Sequence, residues 1–308
     1  MRARRFGTLI GLVLLCAVLW ILTPHFLTVS NLLNIVQQTS INAIVAAGMT
    51  FVIISGGIDL SVGSIVALSG VVLGTVLQMN QPPLVTPLLA ALAVGMGCGL
   101  LNGVLVSFGR LPPFIVTLGM MSIARGAALV FTEGRPVSGF EDGFRWIATG
   151  SIGFVPAPVI IMLIVYALAH FVLTRTTFGR YVYAIGGNEE ATRLSGVAVR
   201  FHKTAVYGVA GLMSAVAAVV LTARLNSAQP IAGMMYELDA IAATVIGGTS
   251  LLGGEGSLGG TLIGALIMGV LRNGLNLLGV SSFLQQIVIG GVIVGAVLVD
   301  TLLKRHRV

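Results

Sequence analysis

The chain has 308 residues, of which 56% are hydrophobic and 9% charged, whereas ordinary soluble domains carry about 25% charged residues. Apolar runs of about 18 residues or more recur from end to end; a soluble fold would have to bury such helices on every face, so the pattern indicates a polytopic membrane protein. The formal net charge of +7 does not indicate nucleic acid, because Arg2, Arg4 and Arg5, the stretch Arg175 to Lys203, and Lys304 to Arg307 flank apolar spans, as the positive-inside rule expects.

Taken in chain order, the sequence predicts an all-α, polytopic transmembrane helical bundle of about ten spans. They lie at roughly 7–24, 34–55, 61–78, 84–108, 112–132, 156–174, 204–223, 236–249, 257–279 and 283–302. The start, MRARRFGTLIGLVLLCAVLW, has the basic and apolar regions of a signal peptide but no small-x-small cleavage site. Leu15 before Cys16 also argues against lipoprotein processing, so a retained first membrane helix is expected. Cys16 and Cys98 both fall in apolar runs and are expected as free thiols, without disulfide or metal. The eighth span is short against the roughly 20 residues a crossing needs, which predicts a helix that is less tilted, re-entrant or longer than drawn. With ten spans, Arg110, Arg175, Arg180, Arg193, Arg200 and Lys203 join both termini in the cytoplasm, Arg135, Arg145 and Arg224 fall outside, and Arg125 and Arg272 lie within spans. Residues 133–155 then form a periplasmic loop and residues 175–203 a cytoplasmic loop of a single domain, 1–308.

Between spans two and three stands SGGIDLSVGS, residues 55–64. Its glycines, Gly56, Gly57 and Gly63, suit a tight turn, and Asp59 or Ser61 can cap the next helix, where the helix dipole favours negative charge. GGTSLLGG, residues 247–254, echoes GGIDLSVG, residues 56–63, at four of eight positions. Transporters often carry such repeats at broken helices beside a cavity, so this stretch is read either as a capped turn at the cytoplasmic membrane edge or as a gating break inside the bundle.

Catalysis finds no constellation. GEGSLG, residues 254–259, matches G-x-G-x-x-G, but the next acid after Glu255 is Asp300, so a turn between helices is expected and not a dinucleotide site. No lysine follows a glycine as a P-loop requires. His25, His170, His202 and His306 have no metal spacing. Glu133, Glu141 and Asp142 share their loop with Arg135 and Arg145, where solvated or paired acids are expected. Neither an enzyme nor a cofactor is predicted. GxxxG spacings at Gly70/Gly74, Gly95/Gly99/Gly103, Gly256/Gly260/Gly264 and Gly291/Gly295 predict close helix approach within the chain or at a dimer seam.

Polar residues inside spans are costly in hydrocarbon and so are informative. Asn34, Gln38 and Asn42 share one helical stripe, with Gln37 beside it. Arg272, Asn273 and Asn276 lie in span nine, and Gln285 and Gln286 begin span ten. Amides and a guanidinium can bond sugar hydroxyls, or equally bridge neighbouring helices; Asn34, Gln38, Asn42, Asn273, Asn276 and Gln285 are the candidates for a substrate path. An ion-coupled transporter would need an intramembrane acid, and Asp59 and Asp300 are the acids near span ends that present themselves.

In the cytoplasmic loop, GNEEATRLSGV, residues 187–197, predicts a short projecting helix with Asn188 as cap and Glu189 and Glu190 in its first turn. Glu190-Ala191-Thr192-x-x-x-Gly196 resembles the EAA-xxx-G coupling signature of ATP-binding-cassette importer permeases, with Thr192 in place of the second alanine. SINAIVAAGMTFVIISGGIDLSVGS (40–64), GRYVYAIGGNEEATRLSGV (179–197), NSAQPIAGMMYELDAIAATVIGGTSLLGGEG (226–256) and NGLNLLGVSSFLQQIV (273–288) together resemble the monosaccharide permeases of that class, the ribose branch first, over residues 25–300. Permeases for xylose, allose, arabinose and galactose share GGIDLSVGS, so the motif marks the family and not the ligand; a furanone signal is a further alternative. The resemblance implies a permease of the bacterial inner membrane, two copies forming the pathway. It also implies a periplasmic sugar-binding protein outside and a separate cytoplasmic ATPase that grips the coupling helix, so that ATP binding and hydrolysis drive alternating access. Glu189, Glu190, Arg193 and Gly196 are then the coupling residues, and Gly56, Gly57, Asp59, Ser61 and Gly63 the gating ones.

Overall fold

A computed structural model describes residues 2–79 and 82–305. The helices are α1 (Arg2–Leu22), α2 (Val29–Ile54), α3 (Val62–Leu77), α4 (Val85–Ser107), α5 (Pro113–Thr132), α6 (Asp142–Thr149), α7 (Ala157–Arg175), α8 (Thr177–Gly187), α9 (Glu189–Leu194), α10 (Val199–Leu225), α11 (Tyr236–Ile246), α12 (Leu258–Leu277) and α13 (Ser282–Arg305). Four two-residue strands join them: β1 (Val137–Ser138) pairs with β4 (Ser227–Ala228), and β2 (Ser151–Ile152) with β3 (Val155–Pro156). Each predicted span meets a helix. Six of these, α2, α4, α5, α7, α10 and α12, are long and apolar enough to cross a membrane among the described residues, and the apolar stretches Gly7–Leu22, Val62–Leu77 and Ser282–Gly295 are shorter. The side chains of Arg2, Arg4, Arg5, Asp300, Lys304 and Arg305 are outside what is described, as are His306 and Arg307 altogether.

The centre of the bundle is α2. Its inner half, from Ala43 to Ile54, is buried on every face, as a helix apolar all round must be, and it packs against α7, α10, α11 and α12. Beside it α4 and α10 run in intimate contact. A Cβ added to Gly99 would overlap the Tyr207 carbonyl, one on Gly211 the Gly95 carbonyl, and one on Gly103 the Thr204 backbone. The predicted GxxxG faces at Gly95/Gly99/Gly103 and Gly260/Gly264 are therefore spent inside the chain, the second against Ala243 and Gly247. Gly291 and Gly295 have no described atom in reach.

The eighth span is short, as its length suggests. The helix α11 has 11 residues, about 17 Å at 1.5 Å per residue, against a hydrocarbon core of about 30 Å. A non-helical segment, 226–235, of a short strand followed by turns, precedes it. It leaves the α10 terminus through Asn226 in the left-handed region (φ 49°), pairs at β4 with β1, and descends until Gly233 lies against Gly63 in the first turn of α3. After α11 the chain reaches Gly254, whose N–H donates to the Ile54 carbonyl at the far end of α2. Residues 226–246 are thus part turn and part helix. The turn half is held by Arg125 of α5, whose guanidinium donates to the Pro230 and Ala232 carbonyls at 2.7 Å each.

The close α4–α10 approach gives a direct test. Gly211→Leu is expected to lower stability by about 1–3 kcal/mol through overpacking, read as a lower melting midpoint of the detergent-purified protein, while Gly290→Ala, facing open space, leaves it unchanged.

Candidate functional site

The predicted cytoplasmic helix forms where the sequence places it. Asn188 Oδ1 accepts the Ala191 N–H at 2.9 Å, which caps α9, and Gly196 (φ 81°) ends the turn that follows. Glu189, Glu190 and Arg193 stand on its exposed surface. Glu190 accepts two bonds from Arg193, which hold its carboxyl below the usual carboxylate range. With the two side chains 65% and 64% exposed, the pair contributes little to stability and chiefly orients an acidic head. Lys203 at the start of α10 donates to Glu189 at 2.9 Å.

This helix stands on a glycine junction. The helix before it, α8, reaches inward through Tyr183, whose hydroxyl donates to the Gly256 carbonyl at 2.8 Å. A Cβ on Gly186 would overlap the Ile54 carbonyl and approach the Gly254 nitrogen, and one on Gly253 would meet Gly186 and Gly56. Both echoed motifs, 56–63 and 247–254, therefore converge under α9, one after α2 and the other after α11. Gly56 (φ 80°), Gly253 (φ 85°) and Gly254 (φ 74°) occupy backbone conformations that glycine tolerates best.

Within SGGIDLSVGS no side chain caps α3. Asp59 is fully buried; its Oδ1 accepts the Ser61 N–H at 2.8 Å and the Ser61 hydroxyl at 2.6 Å. Ser61 in turn accepts from Asn102 of α4 at 2.9 Å. Asp59 and Ser61 thus bond each other and α4 in place of the next helix's amides. Gly57 lies against the Tyr207 hydroxyl of α10, and Gly63 faces Gly233 and Glu237. The other Asp59 oxygen, Asn102 Oδ1 and the Tyr207 hydroxyl are buried without a partner among the described residues.

The expected path residues separate into two groups. Asn34 and Gln38 are exposed along one stripe of α2, which leads to Asn42. Asn42 donates to Asp239 Oδ2 at 3.1 Å, and Arg272 Nη2 of α12 donates to both Asp239 oxygens at 2.8 and 2.7 Å. Gln38, Thr39, Asn42, Asp239 and Arg272 line a cavity of about 20 Å³. Asn273, by contrast, exchanges bonds with Asn31, and Gln285 donates to Asn276 and to the Val280 carbonyl. These are helix-bridging and turn-closing bonds that do not join the Asn42 cluster, although Asn273 directly follows Arg272 in α12. Asp239 and Glu237, in the first turn of α11, are acids inside the bundle that the sequence reading passed over, since it considered Asp59 and Asp300. The signal was present in YELDAIAATVI: two acids inside an apolar segment.

The family model described as a branched-chain amino acid transport system / permease component matches residues 31–297. The chain belongs to this permease family. The permease is 53% identical to the ribose import permease protein RbsC of Escherichia coli (strain K12), with 95% of this chain and 92% of that one covered. It is 48% identical to the ribose import permease protein RbsC of Bacillus subtilis (strain 168), covering 96% and 92%, and 40% identical to the D-allose transport system permease protein AlsC of Escherichia coli (strain K12), covering 98% and 93%. No solved structure matches. The permease is an all-helical, multi-pass membrane protein, and its chemistry is that of a transport subunit.

Gly186→Val would force the permease's α8 off the junction, because the new side chain has no space beside Ile54 and Gly254. The expected outcome is a chain that still inserts in the membrane but has lost transport, measured as labelled-solute uptake at matched membrane abundance.

Proposed function

We propose that the chain is the transmembrane subunit of an ATP-binding-cassette importer that carries a monosaccharide, ribose first, across the bacterial inner membrane. The observation that carries this reading is α9, an exposed, acid-headed turn that follows α8 directly where α8 meets the junction ending both α2 and α11. A soluble motor pulling on it acts on two transmembrane segments at once. Glu189, Glu190, Arg193 and Gly196 form the surface offered to the ATPase, which hydrolyses ATP as a separate subunit; the permease itself holds no cofactor. The names of the relatives at 53% and 48% identity support ribose over allose, whose named carrier is 40% identical.

In this reading the chain crosses ten times with both termini in the cytoplasm. The recess of about 650 Å³ lined by Arg110, Arg193, Arg200 and Lys203 with Glu189 and Glu190 supports that orientation by gathering basic residues at the α9 end. The single domain, 1–308, then presents residues 133–155, with α6, β1, β2 and β3, to the periplasm. That is the face toward which a sugar-laden binding protein delivers. Two copies complete the pathway, with Gly291 and Gly295 of α13 free to meet a second chain or lipid. Asn34, Gln38 and Asn42 line the sugar's route, and Asn273, Asn276 and Gln285 brace its outer end. Gly56, Gly57, Asp59, Ser61 and Gly63 form the gating turn between α2 and α3. An ion-coupled carrier is the weaker reading, because Asp239 already spends its charge on Arg272.

Glu190→Lys reverses the charge at the head of α9 without touching the buried core. Uptake of labelled ribose by cells carrying the matching ATPase and binding protein is expected to fall to the level of cells without the permease, at normal membrane abundance. Wild-type uptake in that variant contradicts the assignment.

A further inference from the structure

Resting on the sugar-permease reading, we propose that Asp239 and Arg272 form a charge clasp across the sugar path. It is closed in this conformation; when it parts, the Asp239 carboxylate, the Arg272 guanidinium and the Asn42 amide take the hydroxyl groups of the passing sugar.

Three elements meet at one carboxylate. The Asp239 side chain is 4% exposed in the first turn of α11, and it accepts from Asn42 of α2 and from Arg272 of α12. A buried charge is tolerable when paired and hydrogen-bonded, which accounts for the pair but not for its surroundings. A network built only for structure is satisfied throughout. Here Asn42 Oδ1 and Thr39 Oγ1 are buried with no partner among the described residues, and both residues line the same cavity of about 20 Å³ as Asp239 and Arg272. That volume holds about one water molecule, far less than a sugar. The walls carry unused hydrogen-bonding capacity around a space that is shut.

The clasp also has an open side and a lever. Arg272 is 32% exposed, and the exposed stripe of Asn34 and Gln38 on α2 ends at Asn42, so a polar track runs up to the ion pair. Because α11 is preceded by a non-helical segment of turns, it can shift without breaking a continuous helix. Its far end enters the glycine junction under α9, which connects the clasp to the cytoplasmic surface. The charges decide the ligand class. One negative and one positive group leave the site neutral overall, which favours neither cations nor anions. Carboxylate acceptors, guanidinium donors and a two-way amide in one place match a neutral polyhydroxylated solute.

The test replaces both charges together, since either single change strands the other ion in the bundle. In vesicles holding the full importer, with radiolabelled ribose as the probe, Asp239→Asn/Arg272→Gln is expected to reduce uptake about 10- to 100-fold, the size of losing one charged hydrogen bond. ATP hydrolysis stimulated by the binding protein persists. Near-wild-type uptake overturns the clasp, and so does joint loss of uptake and stimulated hydrolysis, which assigns the pair to assembly.

Glu190→Lys in the same vesicles separates the two claims: if it blocks uptake while the clasp variant does not, the permease reading stands alone. Wild-type uptake that ignores ATP removes that reading and the clasp with it.

Discussion

Backbone meets backbone where the ends of α2, α8 and α11 converge, and the rest of the structure depends on that contact. Backbone amides and carbonyls buried there must find partners. The Gly254 N–H does this by donating to the Ile54 carbonyl at 2.9 Å, and the distance is reachable because Gly186 and Gly253 bring no side chains between the segments of chain. Once the junction exists, α8 is fixed through Tyr183 and Gly186, and α9 is fixed through Asn188. The helix α11 enters the same junction, and the turns of 226–235 before it are anchored by Arg125.

Charge inside the bundle obeys one economy. Three of the buried or half-buried ions have hydrogen-bond partners from the chain, while one Asp59 oxygen has none among the described residues. Asp59 has Ser61 and, through it, Asn102; Arg125 has two carbonyls; Asp239 has Arg272 and Asn42. The exposed ions on α9 are different. Their pairs are solvent-screened, add little to stability, and remain available to another surface. Buried pairs hold the bundle, and exposed pairs present it.

Much of this was legible in the sequence, for identifiable reasons. Helix positions follow from apolar runs, and all ten predicted spans coincide with helices. The cap and acids of α9 are local signals within a few residues, so Asn188, Glu189 and Glu190 could be placed without a fold. The shortness of span eight was visible as a length. The turns of 226–235 before it were not, since a run of turns has no helical period. Sequence leaves Asp59 between a helix cap and a gating break, because Ser61 and the α3 amides are its nearest neighbours in sequence; its link to Asn102 depends on the α3–α4 packing. Asn42, Asp239 and Arg272 are 197 and 33 residues apart along the chain, and composition says nothing about such a meeting. For the same reason spacing could not separate Asn42, which borders a cavity, from Asn273, Asn276 and Gln285, which bond their neighbours.

The central claim is mechanical: α9 and the glycine junction move as one body. Spin labels at Leu194 on α9 and Leu252 in the junction loop, both exposed, measure it in a chain whose native cysteines are replaced. The distance between them is expected to be the same with and without ATP in the assembled, transporting importer. A distance that changes on ATP binding would mean that α9 moves independently of the junction, and would contradict the coupling route described above.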